Sequence, residues 1–299
     1  MAKTIIIGTI GLDTIETPFG KKEEILGGSA TYAAYAASFF TQPGMVAAAG
    51  EDLPKDHTDL LIKKGIDIKG VKKQGKTFRW EGYYEYDMNE AKTMRTELNS
   101  LASFDAEIPQ EFENAEYVFL ANIDPELQLK ALEQFKNPQL IVMDTMNFWI
   151  DNKKDKLIEV IKKTDILLIN DGEARQLFET TNLVKAANAA LKLGPKAVII
   201  KKGEHGALLF CDDKHFSAGG YPLEDIKDPT GCGDSFGGGL IGYLAKTGDH
   251  SEKNLRKAVV YGSVIASFNA EDFSLDNLKK VDSEKIEKRF HEFKAMREF

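Results

Sequence analysis

Cysteine is scarce in this 299-residue chain, with Cys211 and Cys232 the two it has. They stand far apart, and neither they nor the five histidines fall into a metal-ligand spacing. No disulfide framework or zinc module is indicated, and two reduced thiols are the simplest reading. Positive charge is in deficit: 39 Lys and Arg face 47 Asp and Glu, for a net charge of −8. That balance argues against a nucleic-acid binder, which usually carries a basic footprint. Long apolar runs are missing too. Met1-Ala2-Lys3-Thr4 leads straight into Ile5-Ile6-Ile7, so no signal peptide or membrane span is read, and a cytoplasmic protein without a membrane partner is expected. Two common phosphate-binding devices are also absent. No Gly-x-x-x-x-Gly-Lys-Ser/Thr occurs, and Gly8-Thr9-Ile10-Gly11 follows the first apolar run where a dinucleotide fold would place Gly-x-Gly-x-x-Gly.

What is present is ordinary globular composition, 42% apolar and 29% charged, with no internal repeat, low-complexity tract or linker. A chain of this length buries roughly three quarters of its unfolded surface. Short apolar runs at 4–8, 45–49, 117–121, 140–144, 166–170, 197–201 and 207–211 read as strands, several of them covered on both faces. Helical stretches fall at 29–40, 54–64, 125–136, 153–163, 173–179 and 183–193. Strand–helix alternation predicts an α/β fold with a mainly parallel sheet and right-handed crossovers. Beyond residue 230 the segments 233–247, 251–270 and 282–298 read as a closing helical layer.

Residues 71–98 break the alternation. They are rich in aromatic and β-branched side chains with polar residues between, including Trp80, Tyr83, Tyr84 and Tyr86. This pattern predicts antiparallel strands with one exposed face. Such a segment either covers a site as a small β lid or extends the sheet as a surface hairpin. The organisation expected is one α/β domain from 1–70 and 99–299, with 71–98 as a lid belonging to it and offering a homodimer contact.

Residues 228–239 read Asp-Pro-Thr-Gly-Cys-Gly-Asp-Ser-Phe-Gly-Gly-Gly. Glycines let a backbone turn its amides toward one point and let a ligand come close. A helix beginning there adds unpaired N–H groups and the positive end of its dipole. Gly231, Cys232 and Gly233 would form an anion hole, and Asp234 in the first turn could take a proton from an attacking hydroxyl. A tight turn followed by an Asp that merely complements the dipole would share these features.

Asp-x-Thr-Gly-x-Gly-Asp followed by small residues resembles the C-terminal signature of the ribokinase/pfkB kinases, and the resemblance extends over nearly the whole chain. It implies a ribokinase-like three-layer αβα fold with a small β lid. It also implies an ATP- and Mg2+-dependent transfer of the γ-phosphoryl group to a hydroxyl of a sugar-like molecule, with Asp234 as base. Asp13 and the Gly27-Gly28 pair match the family's acceptor-side positions, and Asn122 joins them at the end of the strand 117–121. The family often carries Asn four residues after that second glycine; here Tyr32 stands there. Asn170 and Glu173 match its Asn-x-x-Glu motif, with Glu173 and Asp144 near the metal through water. Lys202, Gly203, Gly206, Thr230 and Asn269 match its ATP side. A nucleoside acceptor is the alternative within the family, and a non-catalytic sugar- or nucleotide-binding regulator the alternative outside it.

Overall fold

The computed structural model describes residues 2–211 and 214–298. Among them, one sheet holds β1 (Thr4–Ile7), β4 (Pro43–Ala49), β5 (Asp67–Lys73), β8 (Tyr117–Leu120), β9 (Leu140–Met143), β10 (Ile166–Asn170), β11 (Ala197–Lys201), β12 (Ala207–Cys211) and β13 (Lys214–Ala218). Their order is β13-β12-β11-β10-β9-β8-β1-β4-β5. All neighbours pair in parallel except β11 with β12 and β12 with β13. The chain runs outward from β1 to β5, then returns to the other side of β1 and continues to β13. The strand order therefore reverses at β1, and the crevice at its carboxyl end is where open α/β sheets bind ligands.

Side chains alternate across a strand, so an unbroken apolar run feeds two cores. Ile6, Phe119, Val142, Leu168 and Ile199 pack on one face; Ile5, Ile7, Val118, Leu167 and Val198 pack on the other. The first face is covered by α1 (Ser29–Ala37), α2 (Lys55–Lys63), α8 (Cys232–Thr247), α9 (Glu252–Ala270) and α10 (Ser283–Ala295). The second is covered by α3 (Pro125–Leu132), α4 (Asn147–Asn152), α5 (Lys154–Ile161), α6 (Asp171–Leu177) and α7 (Leu183–Leu191). Three layers result. Helix α8 lies against α1 through bare backbone: a Cβ on Gly238 would stand 2.1 Å from the Ala33 carbonyl oxygen. No described helix is long and apolar enough to cross a membrane.

A second sheet has the order β3-β2-β6-β7, built from β2 (Gly11–Thr17), β3 (Gly20–Gly27), β6 (Phe78–Tyr83) and β7 (Lys92–Glu97). Half of it comes from the predicted 71–98 segment. The other half comes from residues 11–27, which had shown no strand pattern. Residues 71–73, by contrast, belong to β5 at the edge of the large sheet. The strand β2 pairs in parallel with β6, with Asp13 opposite Trp80.

Candidate active site

The carboxyl ends of β1, β8, β9, β10 and β11 converge on the start of α8. Gly231 is the N-cap of this helix and adopts φ 78, a left-handed conformation that costs glycine little. A Cβ there would also stand 2.4 Å from the Tyr32 ring, so the residue answers both a turn and a close approach. Asp234 follows in the first turn, half-buried. Burial, reinforced by the nearby charge of Asp144, pushes its carboxyl up to about 7, against an opposing pull from Lys201. Of the three amides expected to face an anion, that of Cys232 is already spent, donating to the Pro229 carbonyl at 3.1 Å. Its thiol is pushed up to about 12 by burial and is no nucleophile at neutral pH.

Lys201 is the cation at this point, one residue before Lys202, which the resemblance assigns to the ATP side. Its ammonium pairs with Asp144 and lies 3.2 Å from where a Cβ on Gly233 would stand. The side chains of Lys201 and Asp144 are 16% and 3% exposed. Burial works against the charge on Lys201, but Asp144 and Glu173 outweigh it and hold its pKa above the ordinary lysine value. Glu173 sits in the same cluster, raised by burial to about 7. It forms a capping box with Asn170: the Asn170 amide N–H donates to Glu173 Oε2 at 2.8 Å, and the Glu173 N–H donates to Asn170 Oδ1 at 2.7 Å. The box fixes the Glu173 carboxylate at the mouth of β10.

The opposite side of the cleft is built around Asp13. It is buried, and a Cβ on Gly27 would stand 1.8 Å from one of its oxygens, so the bare backbone of Gly27 leaves the space the carboxylate occupies. Burial, then the charges of Asp228 and Asp234, push Asp13 up to about 8, while the Gly28 amide pulls the other way. Asp228 itself is raised by burial to about 6. One of its oxygens accepts the Thr230 N–H at 2.9 Å, which shapes the loop before α8. Just beyond the end of β6, Tyr84 arrives at the same loop, where the Thr230 hydroxyl donates to its phenolic oxygen at 3.2 Å.

Two predicted ligand contacts are internally engaged. Asn269 is 1% exposed; its amide donates to the Thr230 carbonyl at 2.8 Å, and its oxygen accepts from Ser235 Oγ at 3.2 Å. It clamps the loop and the first turn of α8 together. Asn122 accepts from Trp149 Nε1 at 2.9 Å and donates to Met146 Sδ at 3.1 Å, which ties α4 to the end of β8. Gly203 and Gly206 form the turn after β11, where the Lys202 N–H donates to the Gly206 carbonyl at 2.7 Å. The structure thus brings together Asp13, Gly27, Gly28, Asp144, Asn170, Glu173, Thr230, Gly231, Gly233 and Asp234, and adds Lys201, Tyr32, Tyr84 and Asp228.

A cytidine kinase from Thermococcus kodakarensis is 30% identical over 249 residues, which are 81% of this chain and 89% of that protein. Among solved structures, the nucleoside kinase of Methanocaldococcus jannaschii superposes with a TM-score of 0.78 at 21% identity, over 97% of this chain and 98% of that one. An E. coli protein assigned as ribokinase II, solved with ATP and Mg2+, gives 0.79 at 19% identity over 98% and 100%. At such identities the two structures establish a common fold. The match to the pfkB family carbohydrate kinases runs over residues 18–280, from the small sheet through the helical layer, and the chain belongs to that family.

Proposed function

We propose that this chain transfers the γ-phosphoryl group of ATP to a hydroxyl of a sugar or of the sugar moiety of a nucleoside. The observation that carries the reading is the placement of Asp234. It combines a carboxylate raised to about 7 with the start of α8 and the Lys201 ammonium at its side. A base whose pKa lies near the working pH is suited to proton transfer. In the step, the acceptor oxygen attacks the γ-phosphorus and the bond to the β,γ-bridging oxygen breaks. ADP leaves with that electron pair, and the hydroxyl proton goes to Asp234. Lys201 and the amides of Gly231 and Gly233 face the transferring group and offset its charge. Asn269 and Asp228 hold the loop in the shape this requires.

The residues present fit a magnesium ion carried mainly by the nucleotide. Among the described residues no group of three or more His, Cys, Asp or Glu could hold a metal by itself. Glu173 and Asp144 supply carboxylates, and Mg2+ often keeps several waters and uses one or two protein carboxylates beside the phosphates. When bound, the ion neutralises charge on the triphosphate.

The strands β2, β3, β6 and β7 would serve as a lid over the acceptor, with Tyr84 as its contact with the loop. The 30% identical cytidine kinase supports a nucleoside as the acceptor class, and a free sugar remains the second reading because the matched family is one of carbohydrate kinases. ADP release from Mg2+-ATP, measured with hexoses, pentoses and nucleosides, tests both. Release with no acceptor of either kind would end the kinase reading.

A further inference from the structure

The two halves of the cleft differ in that the donor half holds a buried cation, paired with Asp144, and the acceptor half has no ion-paired cation among its described residues. On the donor side Lys201 stands against Gly233. On the acceptor side the ionisable groups are Asp13, Asp228 and Asp234, joined by the phenols of Tyr32 and Tyr84. Among the described residues no lysine, arginine or histidine ion-pairs with Asp13 or Asp228. The arginine and lysine of β6 and the start of β7 are committed elsewhere: Arg79 pairs with Glu24 and Asp52 at 2.9 Å each, and Lys92 with Glu85 at 2.6 Å.

Tyr32 gives a second, independent sign. It is 1% exposed, its ring packs on Gly231, and its hydroxyl has no hydrogen-bond partner. The ionisable groups that act on that hydroxyl are Asp228, Asp13, Asp234 and Tyr84, which places it in the acceptor half. A buried hydroxyl without a partner is uncommon in a native protein and calls for one. That hydroxyl is therefore a candidate contact for a hydroxyl of the acceptor.

We infer that the acceptor half takes only molecules without negative charge, held through hydroxyls at Asp13 and Tyr32, and that sugar phosphates, sugar acids and nucleotides are refused. This rests on the kinase reading above. A phosphate or carboxylate seated there would face the carboxyl groups of Asp13, Asp228 and Asp234, with no ion-paired cation among them to offset it. The pocket already resists negative charge, since it keeps its own Asp13 well above the usual carboxylate range.

The test uses matched pairs: fructose and fructose 6-phosphate, ribose and ribose 5-phosphate, cytidine and cytidine 3′-monophosphate. Binding is measured by calorimetry with a non-hydrolysable ATP analogue and Mg2+, beside ADP release. In every pair that binds, the neutral member should be favoured by roughly 100-fold or more. An anionic member that binds as well as its neutral partner overturns the inference, even where turnover is good. Loss of turnover with all six, while neutral members still bind, would instead sink the kinase reading and leave the charge selection standing. Tyr32→Phe should raise KM for a neutral acceptor by roughly 3- to 10-fold, the worth of one hydrogen bond, and leave KM for ATP unchanged. An unchanged acceptor KM would remove the Tyr32 hydroxyl from the subsite.

Discussion

The Thr230 hydroxyl donates to that of Tyr84 at 3.2 Å, so the loop before α8 is bonded to the segment that follows β6 of the small sheet. The same crossing segment reaches the turn after β11, where a Cβ on Gly203 would stand 2.8 Å from Asn89 Oδ1. Residues 84–91 therefore touch both sides of the cleft. Tyr84→Phe keeps the buried ring and removes the bond. It should fold with a melting point within about 2 °C of the parent, because one neutral hydrogen bond contributes roughly 0.5–1.5 kcal/mol. Acceptor KM should rise by roughly 2- to 10-fold, since closure orients the acceptor. Steady-state kinetics that leave acceptor KM where it was would reduce this link to packing.

Lys201 and Asp144 allow charge balance to be separated from chemistry. Lys201→Met strands Asp144, whose side chain is 3% exposed. An uncompensated buried charge costs about 3–5 kcal/mol, although protonation of Asp144 will soften the loss. Adding Asp144→Asn should restore most of the melting temperature without restoring phosphoryl transfer, because the cation facing the transferring group is still missing. A double variant with parental stability and parental kcat would make Lys201 a structural ion pair and nothing more.

How much of this was legible beforehand depends on how each element is buried. Ile5-Ile6-Ile7 and the runs ending at Asp144, Asn170 and Lys201 could be read because both faces of the large sheet are covered. The strands β2 and β3 could not: Gly-Lys-Lys-Glu-Glu-Ile-Leu-Gly leaves all but its last residues to solvent and has no apolar run. Lys201 could have been added from strand parity. Ile199 faces the layer that contains α8, and two residues later Lys201 must face it too. The same parity carries Val142 to Asp144. Asn269 and Asn122 were placed correctly in the chain, but a sequence cannot tell an amide that meets a ligand from one that closes a loop. Tyr32 stood out only as a departure from the family's usual Asn. Its contact with Gly231 and its unpartnered hydroxyl needed coordinates.

Chelation gives a direct check on the donor side. Turnover should require Mg2+ or Mn2+ and return when the ion is restored, because the triphosphate charge must be offset during transfer. Glu173→Gln keeps the hydrogen bond from the Asn170 amide and removes the charge. It should leave stability nearly unchanged and raise the Mg2+ concentration needed for half-maximal rate by roughly 10-fold, within the range typical of lost metal-supporting groups. A parental metal dependence in this variant would take Glu173 out of the metal's surroundings.

The last prediction joins pH, stability and rate at Asp234. Asp13, Asp234, Glu173 and Asp228 are held at about 8, 7, 7 and 6, against ordinary values of 3.8 for Asp and 4.5 for Glu. Between roughly pH 4 and pH 8 the folded protein therefore binds more protons than the unfolded chain. Stability contributed by these groups is complete below their unfolded values and is lost as pH rises through the folded ones. The melting temperature of the ligand-free protein should fall between pH 5 and pH 8. Over the same window kcat/KM should rise, because Asp234 must be ionised to accept the proton. Asp234→Asn separates the two effects. Asn keeps the shape and cannot titrate, so the variant should melt at or above the parent at pH 8 and lose part of the fall with pH. Its rate should drop about 10²–10⁴-fold, the usual worth of a positioned base. The loss will lie toward the lower figure if proton removal follows a loose phosphoryl-transfer transition state. Binding of Mg2+-ATP should survive, since Lys201 and the Gly231 and Gly233 amides are untouched. A variant with near-parental kcat and a lowered melting point would assign Asp234 to the helix dipole, where a first-turn carboxylate contributes about 0.3–1 kcal/mol, and would leave the reaction without its base.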